Sequence, residues 1–217
     1  MENINFVLPE IFIALGIMFL LILGVYKKNS SSLIYLLSVV ILLVGLGLII
    51  NSPYDEEVYL FNNSYKIDQL STLMKMVTII SGIFVLISSY KYARLERIHK
   101  IEYSILILSS ILGMLVMISS YDLIVFYVGL ELQSLALYVL VAFKTDQTRS
   151  SEAGLKYFIL SALSSGLLLY GCSLIYGFTG STNFDLISKN IFSSEYGNVF
   201  GIVFILVGLA FKISAVP

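Results

Sequence analysis

Seven apolar runs, each of roughly 18 residues or more, limit what this chain can fold into. They cover residues 6–26, 33–50, 67–90, 103–120, 123–143, 153–177 and 199–217. A continuous run of this length crosses a bilayer as a helix, whereas barrel strands alternate apolar and polar residues over about ten positions. Because 58% of residues are hydrophobic and 12% are charged, an ordinary soluble domain is excluded. The sequence predicts an all-α membrane protein, a polytopic bundle of about seven transmembrane helices in one domain.

The basic residues of the connections predict how the bundle is oriented. Eight of them lie in the odd-numbered connections: Lys27, Lys28, Lys91, Arg94, Arg97, Lys100, Lys144 and Arg149. The even-numbered connections carry acidic residues and only two lysines, Lys66 and Lys189. Since basic residues stay on the cytoplasmic side, we expect the N-terminus to lie outside. The last run stops at Pro217 without a polar tail, so we expect a truncated chain or a fragment.

Charge and cysteine content exclude further functions. With 13 Lys and Arg against 14 Asp and Glu, nothing favours a nucleic-acid partner. The single cysteine, Cys172, excludes an internal disulfide and a thiolate-ligated zinc or iron–sulfur site. We therefore expect any redox chemistry to take place on another chain.

A charge at the centre of a spanning helix costs about 2.5–3.5 kcal/mol, and among the charged residues of the apolar runs one carboxylate and two lysines are the candidates for function. Glu131 follows Asp122 by about 14 Å along a helix, which places it near the middle of the bilayer. Lys156 lies about one turn into the sixth run, where an interfacial lysine and a functional one are equally good interpretations. Lys212 lies about 21 Å beyond Asn198, and Pro217 after it predicts a helix break.

An acid and two bases in neighbouring helices suit proton movement. Burial lowers the pKa of a lysine, and a neighbouring carboxylate raises it. A change in the distance between the lysine and the carboxylate could therefore load or release a proton. The alternative is that these residues only tie helices together as ion pairs. Other charges have simpler interpretations: Glu10 among the outer headgroups, Asp68 at a helix start and His99 in solvent. Lys75 has two interpretations, of which extension outward is favoured over a place in an interior network.

Several segments resemble subunit N of the proton-pumping NADH:quinone oxidoreductase, respiratory complex I. They are residues 121–180, from YDLIVFYVGLELQSLALYVLV to CSLIYGFTG, together with LPEIFI at 8–13 and VGLAFKISAVP at 207–217. The related subunits L and M usually have Trp before the helix-five Glu, whereas Gly129 and Leu130 precede Glu131 here. The resemblance therefore favours subunit N.

This resemblance implies a fold, a function and partners. The fold would be the first half of an antiporter-like bundle, because the family is roughly twice as long and contains two inverted repeats. Glu131, Lys156 and Lys212 would match its glutamate and lysines of proton translocation. The partners would be subunit M and the small membrane subunits, with NAD, FMN, iron–sulfur clusters and quinone on partner subunits. The expected location is the bacterial inner membrane or, alternatively, the mitochondrial one.

Two other functions remain open from the sequence. The chain could belong to a cation/proton antiporter or a membrane-bound hydrogenase, whose antiporter-like chains are similar. It could also be a non-catalytic membrane scaffold. Loss of pumping with intact assembly on substitution of Glu131 would separate a proton pathway from a scaffold.

Overall fold

A computed structural model of the protein describes residues 6–26, 31–51, 57–96, 98, 100–190 and 196–215. Their elements, in chain order, are α1 Leu8–Tyr26, α2 Ser31–Ile50, β1 Val58–Leu60, β2 Tyr65–Ile67, α3 Gln69–Leu95, α4 Ile101–Ile118, α5 Leu123–Val141, α6 Thr148–Thr179, α7 Phe184–Asn190 and α8 Gly197–Lys212. The fold is a bundle of apolar helices, which confirms the predicted fold class. Its six long apolar helices are typical of a multi-pass membrane protein.

Six helices among the described residues are long and apolar enough to cross a membrane, α1 to α6. Helix α8 is apolar but has 16 residues, and Pro217 of the predicted seventh run lies outside the described residues. Helix α6 has 32 residues and is therefore about 48 Å long, more than a hydrocarbon layer of about 30 Å requires. It begins at Thr148, five residues before the apolar run at 153–177.

Two elements in the connections were not anticipated from the sequence. Strands β1 and β2 form an antiparallel hairpin with Leu60 opposite Tyr65, and α7 follows α6 after a short turn. The hairpin turn needs left-handed backbone at Phe61, Asn62 and Asn63, a conformation that asparagine tolerates well. The pair of asparagines was the available signal for this turn.

Short side chains fix where the helices begin. The Asp68 carboxylate accepts from the Ser71 amide at 2.7 Å, and the Ser71 hydroxyl accepts from the Asp68 amide at 2.8 Å. This reciprocal cap starts α3, as the predicted role of Asp68 requires. Asp122 caps α5 by accepting from the Ile124 amide at 2.8 Å.

Two apolar cores lie side by side. Helices α1 to α4 enclose the first core, which includes Leu42, Leu86 and Leu108. Leu168 of α6 is fully buried in the second core, which α5, α6, α7 and α8 share. Helices α4 and α5 cross closely at Gly113, where an added Cβ would lie 2.5 Å from the Gln133 amide nitrogen. This close crossing joins the two cores into one bundle.

The connections collect at opposite ends of the bundle according to their number in the chain. At one end the Asn183 side-chain amide donates to the Asn63 carbonyl at 2.7 Å, which joins the region after α6 to the hairpin. At the other end Lys144 pairs with Glu96, which joins the connection after α5 to the end of α3. The end with the hairpin is the one that the distribution of basic residues predicts to lie outside.

Candidate functional site

Glu131 and Lys212 form an ion pair between α5 and α8. The Lys212 Nζ lies 3.2 Å from the Glu131 Oε1, and their side chains are 12% and 21% exposed, respectively. Glu131 is the ninth residue of α5, and Lys212 is the last residue of α8. The structure therefore brings together two of the three residues that the sequence singles out.

Hydroxyl groups surround this ion pair. Lys212 donates to the Ser134 hydroxyl at 2.9 Å and to the Tyr138 hydroxyl at 3.0 Å. Ser165 donates to the same Glu131 oxygen that Lys212 contacts. The lysine and the carboxylate are thus both hydrogen-bonded, as charges taken out of water require.

The hydroxyl groups continue away from the ion pair along α5 and α6. Tyr138 accepts from Lys212 and donates to the Ser161 hydroxyl at 2.5 Å, and both of these hydroxyl-bearing residues are buried. Tyr138 follows Glu131 by seven residues, so the chain of hydrogen bonds extends about 10 Å toward the end of α5 that carries Lys144. It extends from the central carboxylate toward the end of the bundle that is predicted to face the cytoplasm, and its last hydroxyl, that of Ser161, is fully buried.

Close packing of α8 against α6 brings Lys212 to Glu131. The Ser164 hydroxyl donates to the Gly208 carbonyl at 2.9 Å, one turn before Lys212. A Cβ at Gly208 would lie 2.7 Å from the Leu168 Cβ and 3.0 Å from the Ser164 carbonyl oxygen. Only glycine permits this separation, so Gly208 and Ser164 position the lysine.

Lys156 lies apart from this group. Its Nζ is 2.6 Å from the Glu152 Oε1, one turn earlier on α6, and its side chain is 68% exposed. Nine residues separate it from Ser165, a rotation of about 900°, so the two lie on opposite faces of α6. Within the described part of the chain Lys156 therefore contacts Glu152 and not Glu131.

A second buried ion pair corrects the prediction for Glu10 and decides between the two interpretations of Lys75. Glu10, expected among the outer headgroups, is 4% exposed, and Lys75 is 3% exposed, which contradicts the favoured outward extension and agrees with an interior network. They meet with the Lys75 Nζ 2.6 Å from the Glu10 Oε1. Each residue alone resembles an interfacial charge, and only the packing of α1 against α3 and the hairpin shows that they face each other. His99 lies outside the described residues.

Contacts with carboxylates raise the pKa of two side chains at the end of the bundle that carries the hairpin. A hydrogen bond to Asp185, followed by burial, raises the pKa of the Tyr121 phenol to about 12. Lys66 lies 3.1 Å from Glu57, and this contact raises the pKa of the Lys66 ammonium. The described residues contain no group of three or more His, Cys, Asp or Glu side chains that could hold a metal ion.

Comparisons with known proteins agree with this geometry. Residues 120–217 match the family described as "NADH:quinone oxidoreductase/Mrp antiporter, TM". NADH-quinone oxidoreductase subunit N of Pelagibacter ubique is 66% identical over 217 residues, which are 100% of this chain and 46% of that protein. The Bartonella bacilliformis subunit N is 50% identical over 97% of this chain and 44% of that protein.

A solved structure shows the same fold. A chain of respiratory complex I from Thermus thermophilus superposes with a TM-score of 0.77 at 25% identity, over 94% of this chain and 43% of that one. The chain is similar to antiporter-like membrane subunits, the class to which the fold and the buried acid–base pair point. Within that class it corresponds to the N-terminal part of subunit N of NADH-quinone oxidoreductase. It spans about half the length of these curated relatives.

Proposed function

We propose that this chain is part of a membrane subunit that translocates protons in an NADH:quinone oxidoreductase. The observation that carries the proposal is the Glu131–Lys212 pair, held by hydroxyl groups between apolar helices. An intramembrane carboxylate paired with a lysine is typical of proton pathways. The identity to subunit N relatives supports the assignment to this oxidoreductase.

The hydrogen bonds support a specific proton transfer. When Lys212 gives its proton to Glu131, an ion pair becomes a neutral amine and carboxylic acid, so no net charge is left in the apolar layer. The Lys212 amine can then take a proton from the Tyr138 hydroxyl, and Tyr138 recovers one from Ser161 when the hydrogen bond between their hydroxyl groups reverses its direction. Such a chain moves one proton from Ser161 toward Glu131.

Energy must come from outside this network. Moving a proton against a membrane potential costs about 2.3 kcal/mol per 100 mV, and one pKa unit corresponds to about 1.4 kcal/mol. A change of a few units in the proton affinity of the pair would therefore suffice. We propose that electron transfer from NADH to quinone supplies it, with NAD, FMN, the iron–sulfur clusters and quinone on partner subunits.

Lys156 extends the proposed pathway toward the cytoplasmic end. It precedes Ser161 by five residues, about 7.5 Å along α6 and about 140° around it, so a connection between them needs a chain of two or more water molecules. Its exposed pair with Glu152 suits a surface covered by protein rather than by lipid. We propose subunit M and the small membrane subunits as neighbours, in a bacterial inner membrane or, alternatively, a mitochondrial one.

The native protein, extracted from membranes in mild detergent, tests this function. We expect it to co-purify with an NADH-oxidising, quinone-reducing complex, and reconstituted vesicles to move protons when NADH is added. NADH oxidation by the isolated chain, or proton movement that does not depend on NADH, would contradict the proposal.

A second candidate is an Mrp-type antiporter subunit, since the matching family description covers both classes. Transport measurements on vesicles that contain the protein distinguish the two functions. An antiporter exchanges a cation such as Na⁺ for protons without NADH, whereas the oxidoreductase requires NADH and quinone.

A further inference from the structure

Three titratable side chains meet at the end of the bundle that carries the hairpin. Glu10 comes from α1, Lys75 from α3 and Tyr65 from β2, and each is about 95% buried or more. The Tyr65 hydroxyl donates to the Glu10 Oε1 at 2.8 Å and accepts from the Lys75 Nζ at 3.2 Å. We call these three residues the hairpin-end cluster.

The hairpin-end cluster is separate from the proton network described above. Glu131, Tyr138 and Lys212 lie on α5 and α8, whereas the cluster lies on α1, β2 and α3. None of its contacts reaches those residues within the described part of the chain. It is therefore a second buried acid–base group that the proposed transfer does not use.

One polar atom of the cluster has no partner. The Glu10 Oε2 is fully buried and makes no hydrogen bond to any residue that the structure describes. A buried carboxylate oxygen without a donor is costly, so the charge of ionised Glu10 is incompletely hydrogen-bonded. The environment of Glu10 thus suits a group that binds a proton.

Tyr65 connects Glu10 to the hairpin. Burial, followed by the negative charge of Glu10, raises the pKa of the Tyr65 phenol well above its usual value, so the phenol keeps its proton. It donates to one charged partner and accepts from the other, the arrangement that a proton relay needs. Its backbone belongs to β2, next to the surface pairs of Lys66 with Glu57 and Asp68.

We propose that the hairpin-end cluster is a second proton-exchange site, in which Glu10 binds and releases one proton at the hairpin end of the bundle. Tyr65 passes its hydroxyl proton to the Glu10 Oε1 and takes one from the Lys75 ammonium, and Lys75 recovers a proton from water at that end. An O–H bond thus forms on Glu10, and Lys75 ends the step as an ammonium. The charge of the cluster changes from zero to plus one, and release reverses the step. The role in pumping rests on the function proposed above.

The charged groups around Glu10 set the expected behaviour. Lys75 on α3 is the only ammonium in contact with it among the described residues, and Tyr65 is the only phenol. Lys66 and Asp68 lie further out and pair at 3.6 Å. An ion pair that merely joins helices would exchange no proton between Glu10 and water.

Infrared difference spectra of the native complex between two pH values test the site directly. We expect a carboxylic-acid band that is lost in Glu10→Gln and retained in Glu57→Gln, a control on the connection that forms the hairpin. Tyr65→Phe should keep the band and slow its exchange in D₂O by roughly tenfold or more, because the hydrogen bonds to both Glu10 and Lys75 are lost. Because Tyr65→Phe leaves the ion pair intact, it remains informative if Glu10→Gln fails to assemble.

Proton pumping distinguishes this proposal from the function on which it rests. We expect both Glu10→Gln and Glu131→Gln to lower the number of protons moved per electron. If Glu131→Gln pumps normally, the proposed function is wrong. The infrared band then still shows whether Glu10 of the hairpin-end cluster binds a proton. If Glu10→Gln removes no band, or if Tyr65→Phe leaves the exchange rate unchanged, the hairpin-end cluster is an ion pair that only joins helices.

Discussion

Lys212 contacts Glu131 across 81 positions of sequence, with 3.2 Å between the Nζ and the Oε1. This contact depends on two close helix approaches, α4 against α5 at Gly113 and α8 against α6 at Gly208. The position of the buried pair thus depends on the packing of helices α4, α5, α6 and α8. Substitutions in and around the pair should therefore have different effects.

The two lysines should differ in importance. Lys212→Met removes the direct partner of Glu131, so we expect proton movement to be lost, whereas Lys156→Met should lower it partially because Lys156 lies on the other face of α6. NADH-driven proton uptake by vesicles, normalised to the amount of assembled complex, measures both. Lys189→Met on α7 is the control, and an equal effect of all three substitutions would contradict the assignment.

Tyr138→Phe removes the hydroxyl that joins Lys212 to Ser161 and keeps the ring in place. Loss of two buried hydrogen bonds, one of them from an ammonium, should cost about 2–4 kcal/mol of stability and should slow proton movement at unchanged assembly. Tyr170→Phe is a matched control on α6, since Tyr170 is 55% exposed and packs on Phe204. A proton-transfer rate equal to that of Tyr170→Phe would show that the hydroxyl is dispensable.

Gly208→Ala should move α8 away from α6. The new Cβ would lie 2.7 Å from the Leu168 Cβ, and overpacking of this kind costs about 1–3 kcal/mol. We expect a lower melting temperature of the protein in detergent and slower proton movement. Gly166→Ala, where a Cβ meets nothing within 4 Å, should leave both unchanged. Similar melting temperatures for the two variants would argue against the close contact.

Alkaline titration should show the contact between Tyr121 and Asp185. The hydrogen bond to Asp185 and burial raise the pKa of Tyr121 to about 12, so Asp185→Asn should return it toward its usual value of about 10. Since the folded-state pKa is raised, the stabilisation is fully present below about pH 10 and is lost as the pH rises through about 12.

Phenolate absorbance difference spectra, taken against Tyr121→Phe, measure this pKa. Asp68→Asn in the neighbouring hairpin region serves as the control, because Asp68 does not contact Tyr121. An unchanged Tyr121 pKa in Asp185→Asn would contradict the hydrogen bond.

Continuous hydrophobicity is a local signal, and it predicts the helical membrane fold here without knowledge of the tertiary structure. The prediction that Glu131 is central is of the same kind, because it depends on counting residues along one helix. The residue that pairs with Glu131 cannot be predicted in this way, because counting residues along one helix does not give the distance to a lysine on another helix. The rotation of α6 and the approach of α8 decided in favour of Lys212.

Glu10 and Lys75 illustrate the opposite case. Each lies near the start of its helix, where a charge usually reaches the headgroups, so local reasoning placed both at the interface. The hairpin packs over them and supplies Tyr65, which buries the pair. Three-residue strands in a polar connection carry too little periodicity to predict such a cover.

The proton-to-electron ratio of the native complex carrying Glu131→Gln tests the role of the buried pair most directly. Glutamine preserves the shape of the side chain and removes the exchangeable proton, so we predict normal assembly and NADH oxidation with fewer protons moved per electron. Glu102→Gln, at an exposed position in the first turn of α4, should keep the ratio of the unchanged protein. An unchanged ratio in Glu131→Gln would contradict the proposal that this carboxylate carries the proton.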